Sequence, residues 1–380
     1  MWRPLLIILY ILLLGFAELS LRNREVSPPY TNDIAGVSVG IHPGVRVWQN
    51  AQNLWQTKSL KRNEFAAIGS LLQEQSKSAE ADKPVWQDLY AISTSGEYYP
   101  KHQHLITYLG ALSYAVFGEY GAWMLNLIAL SVLLVTLYFL SCQFASPNST
   151  LLIIILLPWI EKHWIRNSIS TKDELAFDLI GSTILIGGFA ICKRLPLLGG
   201  TLLGLSLHLR LTWVVYVVLP LLARGIATTR QFVLWTIGVI TSFVAILGYN
   251  YYLFGDPLRG PYARLPEYSA GMMRFDTTSH TFSLAFLWEL RERLFSTDDG
   301  CFIGAPYMLI TILLLCLKDI PPMLRRICIT AIVVAAPHFI YGYWIGSGGT
   351  RFVLPSTLLM SLPLAWAVDR FLGNPTVVPE

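Results

Sequence analysis

Asp33 closes the segment Pro29-Tyr30-Thr31-Asn32-Asp33, shortly after the first long apolar run of the chain. A carboxylate tethered there can take a proton from a hydroxyl docked from water, although its commonest use is as a solvated turn residue. Lys101 lies in Gly96-Glu97-Tyr98-Tyr99-Pro100-Lys101-His102-Gln103-His104, where it can hold a phosphate or snorkel to lipid headgroups. His102 and His104 are two residues apart at a helix start, so they do not converge on a metal, and no carboxylate adjoins them. Asp173 belongs to Ser170-Thr171-Lys172-Asp173-Glu174, the approach to an apolar run, where an acid commonly caps a helix. Arg210 ends Ser206-Leu207-His208-Leu209-Arg210, and Arg351 follows the glycine-rich turn Gly346-Ser347-Gly348-Gly349-Thr350. Arginine can grip phosphate with two parallel N–H bonds, and glycine lets backbone come close to a ligand.

The elements that must position these groups are apolar. Of 380 residues, 54% are hydrophobic and only 14% charged, with a mean hydropathy of +0.50. Soluble domains carry about 25% charged residues, so this chain cannot coat a water-facing surface of its size. A chain this apolar also collapses, which excludes disorder. A net charge of +4, spread along the chain, gives no footprint for nucleic acid. The five cysteines are scattered without a CxxC spacing and indicate neither a disulfide framework nor a zinc site. What remains is an integral membrane protein.

A spanning helix needs roughly 20 apolar residues. Candidate runs cover 4–20, 121–141, 149–160, 175–192, 196–208, 211–223, 231–249, 302–317, 327–345 and 352–371. Several are too short to stand alone in lipid and require protein neighbours. The expected fold is therefore an all-α polytopic membrane protein with about ten transmembrane helices. The first run is expected to be a retained anchor, because Glu18 stands where a signal-peptide cleavage site would fall. If both termini are cytoplasmic and 103–118 does not cross, then Arg3, Lys193, Arg194, Arg224, Arg230, Lys318, Arg325, Arg326 and Arg370 all fall inside. The run 103–118 then becomes an interfacial helix with Tyr108 and Tyr114 as interfacial aromatics. The two long loops, 21–105 with a soluble helix near 64–78, and 250–301, become extracytoplasmic. The whole chain reads as a single membrane domain with an outward cap, without internal repeats.

Taken in order, the polar segments resemble those of the GT-C superfamily of membrane glycosyltransferases, which includes protein O-mannosyltransferases and lipid A aminoarabinose transferases. Thr31-Asn32-Asp33 is similar to the acidic motif of the first outer loop. Tyr99-Pro100-Lys101 with Val116-Phe117-Gly118 resembles the lysine that opens an interfacial helix. Thr171-Lys172-Asp173, Gly199 to Arg210, Asn250 with Phe254-Gly255-Asp256-Pro257, Phe295 to Gly300 with Ala305-Pro306, and Arg351-Phe352-Val353-Leu354-Pro355 resemble the later segments. The resemblance runs from Asn32 to Asp369. Asp33 is followed by Ile34 rather than a second acid, and Lys101 by His102 rather than proline.

The resemblance implies an inverting transfer of sugar from a polyprenyl-phosphate donor to a glycan, lipid or protein acceptor at the outer face. Asp33 would be the general base; Lys101, Arg210 and Arg351 would hold the donor phosphate; Asp173, Tyr99 and His102 would orient substrate. No cofactor and no nucleotide-sugar is expected, and a divalent metal stays open. Other readings are a polysaccharide polymerase or ligase, which would place its large outer loop late; a secondary transporter, expected to show inverted repeats; and a non-catalytic scaffold.

Overall fold

The computed structural model describes residues 2–22, 31–34, 37–40, 43–62, 65–66, 90–100, 104–161, 169, 172–224, 226, 228–258, 260–261, 267–269, 272–274, 289–296, 300–340 and 350–373. Its framework is helical. The apolar first run forms α1 (Trp2–Arg22), because backbone surrounded by lipid can satisfy its hydrogen bonds only within its own helix. After the polar loop come α2 (Pro43–Thr57) and α3 (His104–Phe117), then the apolar α4 (Gly121–Ser141). Phe16 of α1 meets Trp123 of α4 edge-on at 5.0 Å, while Arg3 bonds Asn148 just beyond the far end of α4. The two helices are therefore antiparallel. The end of the bundle where α1 stops and α4 begins is called distal below.

Together α3 and α4 make one apolar stretch, His104–Ser141. A 3-10 turn, Gly118–Tyr120, divides them, with Gly118 at a φ of +59° that side chains rarely adopt. The Ser113 hydroxyl bonds the carbonyl of Gly121 across this turn. Trp48 and Ala51 of α2, together with Leu175, close over Gly110 of α3. Tyr108, Leu112 and Val116, spaced four apart, form an exposed stripe on α3. Tyr114, half-buried, packs edge-on against Trp48 and donates to Glu119.

α5 (Pro147–Ile160) is capped by the Ser146 hydroxyl and fixed by Asp369, whose carboxylate accepts from Ser146 and Ser149. α6 (Phe177–Ile191) and α7 (Pro196–Ser206) form a tight hairpin in which Gly188 and Gly199 lie against each other's backbone. From Arg210 the chain returns not as an α-helix but as a 3-10 segment, Leu211–Val218, and a π segment, Pro220–Arg224. α8 (Thr229–Phe254) then runs parallel to α7, with Gly200, Gly204 and Gly238 allowing close approach. Gly255, at φ +71°, ends α8 in the left-handed conformation that terminates helices.

The run 302–317 is broken at Pro306 into α10 (Cys301–Gly304) and α11 (Tyr307–Leu315), preceded by the short α9 (Leu290–Phe295). α12 (Pro322–Ala335) begins earlier than expected, so Arg325 and Arg326 are helical. α13 (Thr350–Leu359) and α14 (Leu362–Phe371) are two halves of the final run.

The chain is not all-α. Among the described residues the loops contain three antiparallel hairpins: β1 (Thr31–Ile34) with β2 (Val37–Gly40), β3 (Tyr90–Ile92) with β4 (Tyr98–Pro100), and β5 (Glu267–Ser269) with β6 (Met272–Arg274). Short alternating segments around turn residues favour such pairing. Beyond Phe65–Ala66 the soluble helix expected near 64–78 lies outside the described residues. Among the described residues, five stretches are long and apolar enough to cross a membrane: Trp2–Ser20, His104–Ser141, Thr229–Phe254, Pro322–Phe339 and Phe352–Phe371. Apolar runs 149–160, 175–192, 196–208 and 211–223 correspond to shorter segments.

Candidate functional site

The distal end gathers side chains from elements that are far apart in sequence. At its centre Arg210 is buried against Asp178 in the first turn of α6. Its Nε and Nη2 both donate to the carboxylate, the second at 2.9 Å. The guanidinium also lies over Phe352 at 4.6 Å and beside Phe177 at 5.2 Å. A buried pair of this kind offsets desolvation only when geometry and hydrogen bonding are good, and here both oxygens are engaged. Asp178 also benefits from the positive end of the helix dipole. Trp213 donates to the carbonyl of Phe352 at 2.9 Å, which ties the return segment after Arg210 to α13. His338 stacks on the Phe352 ring at 6.4 Å, and the Tyr216 ring lies 5.6 Å from the His338 imidazole.

His104, the first residue of α3, lies within electrostatic reach of His208, two residues before Arg210. Its Nε2 donates to the carbonyl of Pro100 at 3.1 Å. A carbonyl can only accept, so in the neutral ring the proton sits on Nε2 and Nδ1 accepts from the Tyr249 hydroxyl. His104 thereby ties the end of β4 to the distal end of α8. Tyr99, Tyr249 and Phe254 surround the imidazole, with ring centroids 5.4 to 6.1 Å away. The β3–β4 hairpin docks on the same helix, where the Thr94 amide donates to Leu253 at 2.9 Å.

The expected site residues fall into three groups. Arg210 and Tyr99 are described and lie at the distal end, Arg210 already paired with Asp178. Tyr99 is buried on β4 and donates to Glu97 at 3.3 Å. Burial, and then the Glu97 charge, push its phenol above the ordinary range. Glu97 in turn accepts from Lys61, which holds its carboxyl low. Asp173 is also described, half-buried in the turn before α6. Burial raises its pKa, Lys172 opposes that, and Glu119 adds to it. Asp173 does not cap α6: that helix starts after Ala176, whose amide donates to Asn126 at 2.9 Å. Asp33 lies on β1 and Arg351 in the first turn of α13, but their side chains fall outside the described residues. Lys101 and His102 lie wholly outside them.

The segment from Asn250 to Pro257 is a helix-ending device. Asn250 donates to the carbonyl of Pro257 at 3.1 Å, Phe254 is buried, and the Asp256 carboxylate accepts from Leu258 at 2.9 Å. Sequence reasoning missed Asp178 and Tyr249 as members of the distal cluster. Asp178 carried a signal, since an acid inside an apolar run needs a partner; Tyr249 carried none. Among the described residues, no three His, Cys, Asp or Glu side chains gather in a way that could hold a metal ion.

Long apolar helices with polar groups gathered at one end make this chain an integral membrane protein. Comparison with protein-family models, curated proteins and solved structures gives no match.

Proposed function

We propose that the chain is an inverting glycosyltransferase of the GT-C kind, moving sugar from a polyprenyl-phosphate donor to an acceptor at the outer membrane face. The observation that carries this reading is the convergence, at one end of the bundle, of the elements that bear the candidate cations. Arg210 touches Phe352, the neighbour of Arg351. His104 bonds Pro100, the neighbour of Lys101.

The parity of the chain supports the membrane arrangement. α1 ends and α4 begins at the same end, which favours one side for the described elements between them, including α3 with its exposed apolar stripe. This favours α3 as a helix at the interface rather than a span. Counted this way, α1, α4, α5, α6, α7, the segment Leu211 to Arg224, α8, α11, α12 and the pair α13–α14 give ten crossings. Both termini then lie at the cytoplasmic end, with Lys193, Arg194, Lys318 and Arg370. The short and irregular crossings are tolerable because protein surrounds them.

In the reaction, the acceptor oxygen attacks the anomeric carbon and its proton passes to Asp33. The bond from that carbon to the phosphate oxygen breaks, and polyprenyl phosphate leaves with the electron pair. Fixed cations stabilise the charge that develops on the phosphate, commonly the largest catalytic contribution. Lys101 and Arg351 carry that role. Arg210 has its charge offset by Asp178, so it orients Phe352 and the start of α13 and contributes a weaker field. Asp173, Tyr99 and His102 have the role of orienting the substrate.

The test is incubation of the purified chain with a panel of polyprenyl-phosphate sugars. Release of polyprenyl phosphate by the wild type, abolished in Asp33→Asn, is expected. Absence of release across the panel, or near-normal release by Asp33→Asn, overturns the reading or the role of Asp33 respectively.

A further inference from the structure

His208 stands apart from the other described histidines. His104 has both ring nitrogens engaged, and His338 lies between Tyr216 and Phe352. The imidazole of His208 makes no hydrogen bond among the described residues and is only half-buried. Its backbone is nevertheless rigid. The turn after α7 is closed by consecutive amide bonds from residues 207 to 210, and Leu207 and Leu209 on either side are buried. Glycine contacts hold α7 itself against α8. A ring nitrogen without a partner is thus presented from a fixed turn, within electrostatic reach of His104 and its aromatic neighbours, two residues from the Arg210–Asp178 pair.

We infer that His208 is a ligand-binding residue of the distal site, accepting a hydrogen bond from a sugar hydroxyl. The choice of a sugar as ligand rests on the transferase reading; the open imidazole does not. Burial, and then the proximity of His104, hold the His208 pKa down to about 4, so the ring is neutral near pH 7. A neutral imidazole offers a lone pair to a hydroxyl and has no charge with which to draw phosphate. The neighbouring Arg210 does not supply one, because Asp178 matches it. The turn therefore suits the uncharged part of a lipid-linked sugar, and the phosphate belongs elsewhere.

The purified full-length chain in detergent is treated with diethyl pyrocarbonate, and modification of each histidine is followed by mass spectrometry. His208 is expected to react faster than His104 and His338. A member of the panel of polyprenyl-phosphate sugars slows His208 several-fold, whereas polyprenyl phosphate without sugar does not. Protection by the sugar-free lipid as complete as by the sugar-bearing one overturns the inference, as does the absence of protection by every member. His208→Leu is expected to raise the donor or acceptor KM about tenfold with kcat little changed, as loss of one hydrogen bond would. His208→Gln, which keeps an acceptor, restores most of it. Protection without any sugar transfer by the wild type removes the transferase reading and leaves the binding inference. Transfer with an unchanged KM in His208→Leu does the reverse.

Discussion

Arg210 and Asp178 are each held by the other, and that fixes what single substitutions do. Arg210→Met or Asp178→Asn leaves the remaining group buried without its partner, and each is expected to cost about 3–5 kcal/mol. The double variant Asp178→Leu/Arg210→Met recovers most of that. Thermal unfolding of the three proteins in detergent measures it, and additive losses in the double variant would contradict the pairing. Two other groups link stability to pH with opposite signs. His208 has a folded pKa of about 4 against 6.5 for the free side chain, so between these values the unfolded chain binds more protons. Its contribution is full above pH 6.5 and is lost as pH falls toward 4. Asp173, near Glu119, is raised from 3.8, so its contribution is full below that value and fades as pH rises through the folded pKa. Both effects fall on the acidic side with opposite sign: on acidification His208→Gln is expected to lose less stability than the wild type, and Asp173→Asn to lose more, because it lacks the gain that Asp173 contributes when protonated.

α7 and α8 depend on the absence of side chains where they touch. A Cβ on Gly204 would come 2.5 Å from the Cβ of Ser242, and one on Gly200 would strike the carbonyl of Trp235. Backbone cannot yield as a flexible side chain does, so Gly200→Ala and Gly204→Ala are expected to cost about 1–3 kcal/mol each by overpacking. Gly187→Ala and Gly248→Ala, where nothing lies within 4 Å, serve as controls. In those helices alanine gains up to about 1 kcal/mol of helix propensity. Thermal shifts in detergent that place all four variants together would remove the close-approach explanation. The same contacts fix the turn carrying His208 and Arg210, so damage at Gly204 should also slow any sugar transfer. The return segment, Leu211–Val218 and Pro220–Arg224, shows the complementary behaviour: an apolar run with β-branched and aromatic residues adopts 3-10 and π geometry because Trp213 and Tyr216 must reach Phe352 and Ser356.

Across the whole molecule, the orientation in the bilayer decides whether the distal cluster can meet an outer-face substrate. In a background lacking the native cysteines, Thr94→Cys, exposed at the β3–β4 turn, should react with an impermeant thiol reagent on intact cells. Arg194→Cys, exposed between α6 and α7, should react only after lysis. The opposite pattern would turn the molecule over. Ser93 makes a poor reporter, because it is buried and its hydroxyl accepts from the Glu97 amide.

Composition and run length by themselves determined the membrane class, since too few charges and too many 20-residue apolar runs leave no soluble alternative. Most element positions were legible for the same reason: a backbone in lipid can only close its hydrogen bonds along its own helix. Where the side chains of distant segments meet was not legible. Nothing local to Asp178 names Arg210, and nothing near Tyr249 names His104. Those pairings are long-range consequences of how helices cross, and only the tertiary packing set them.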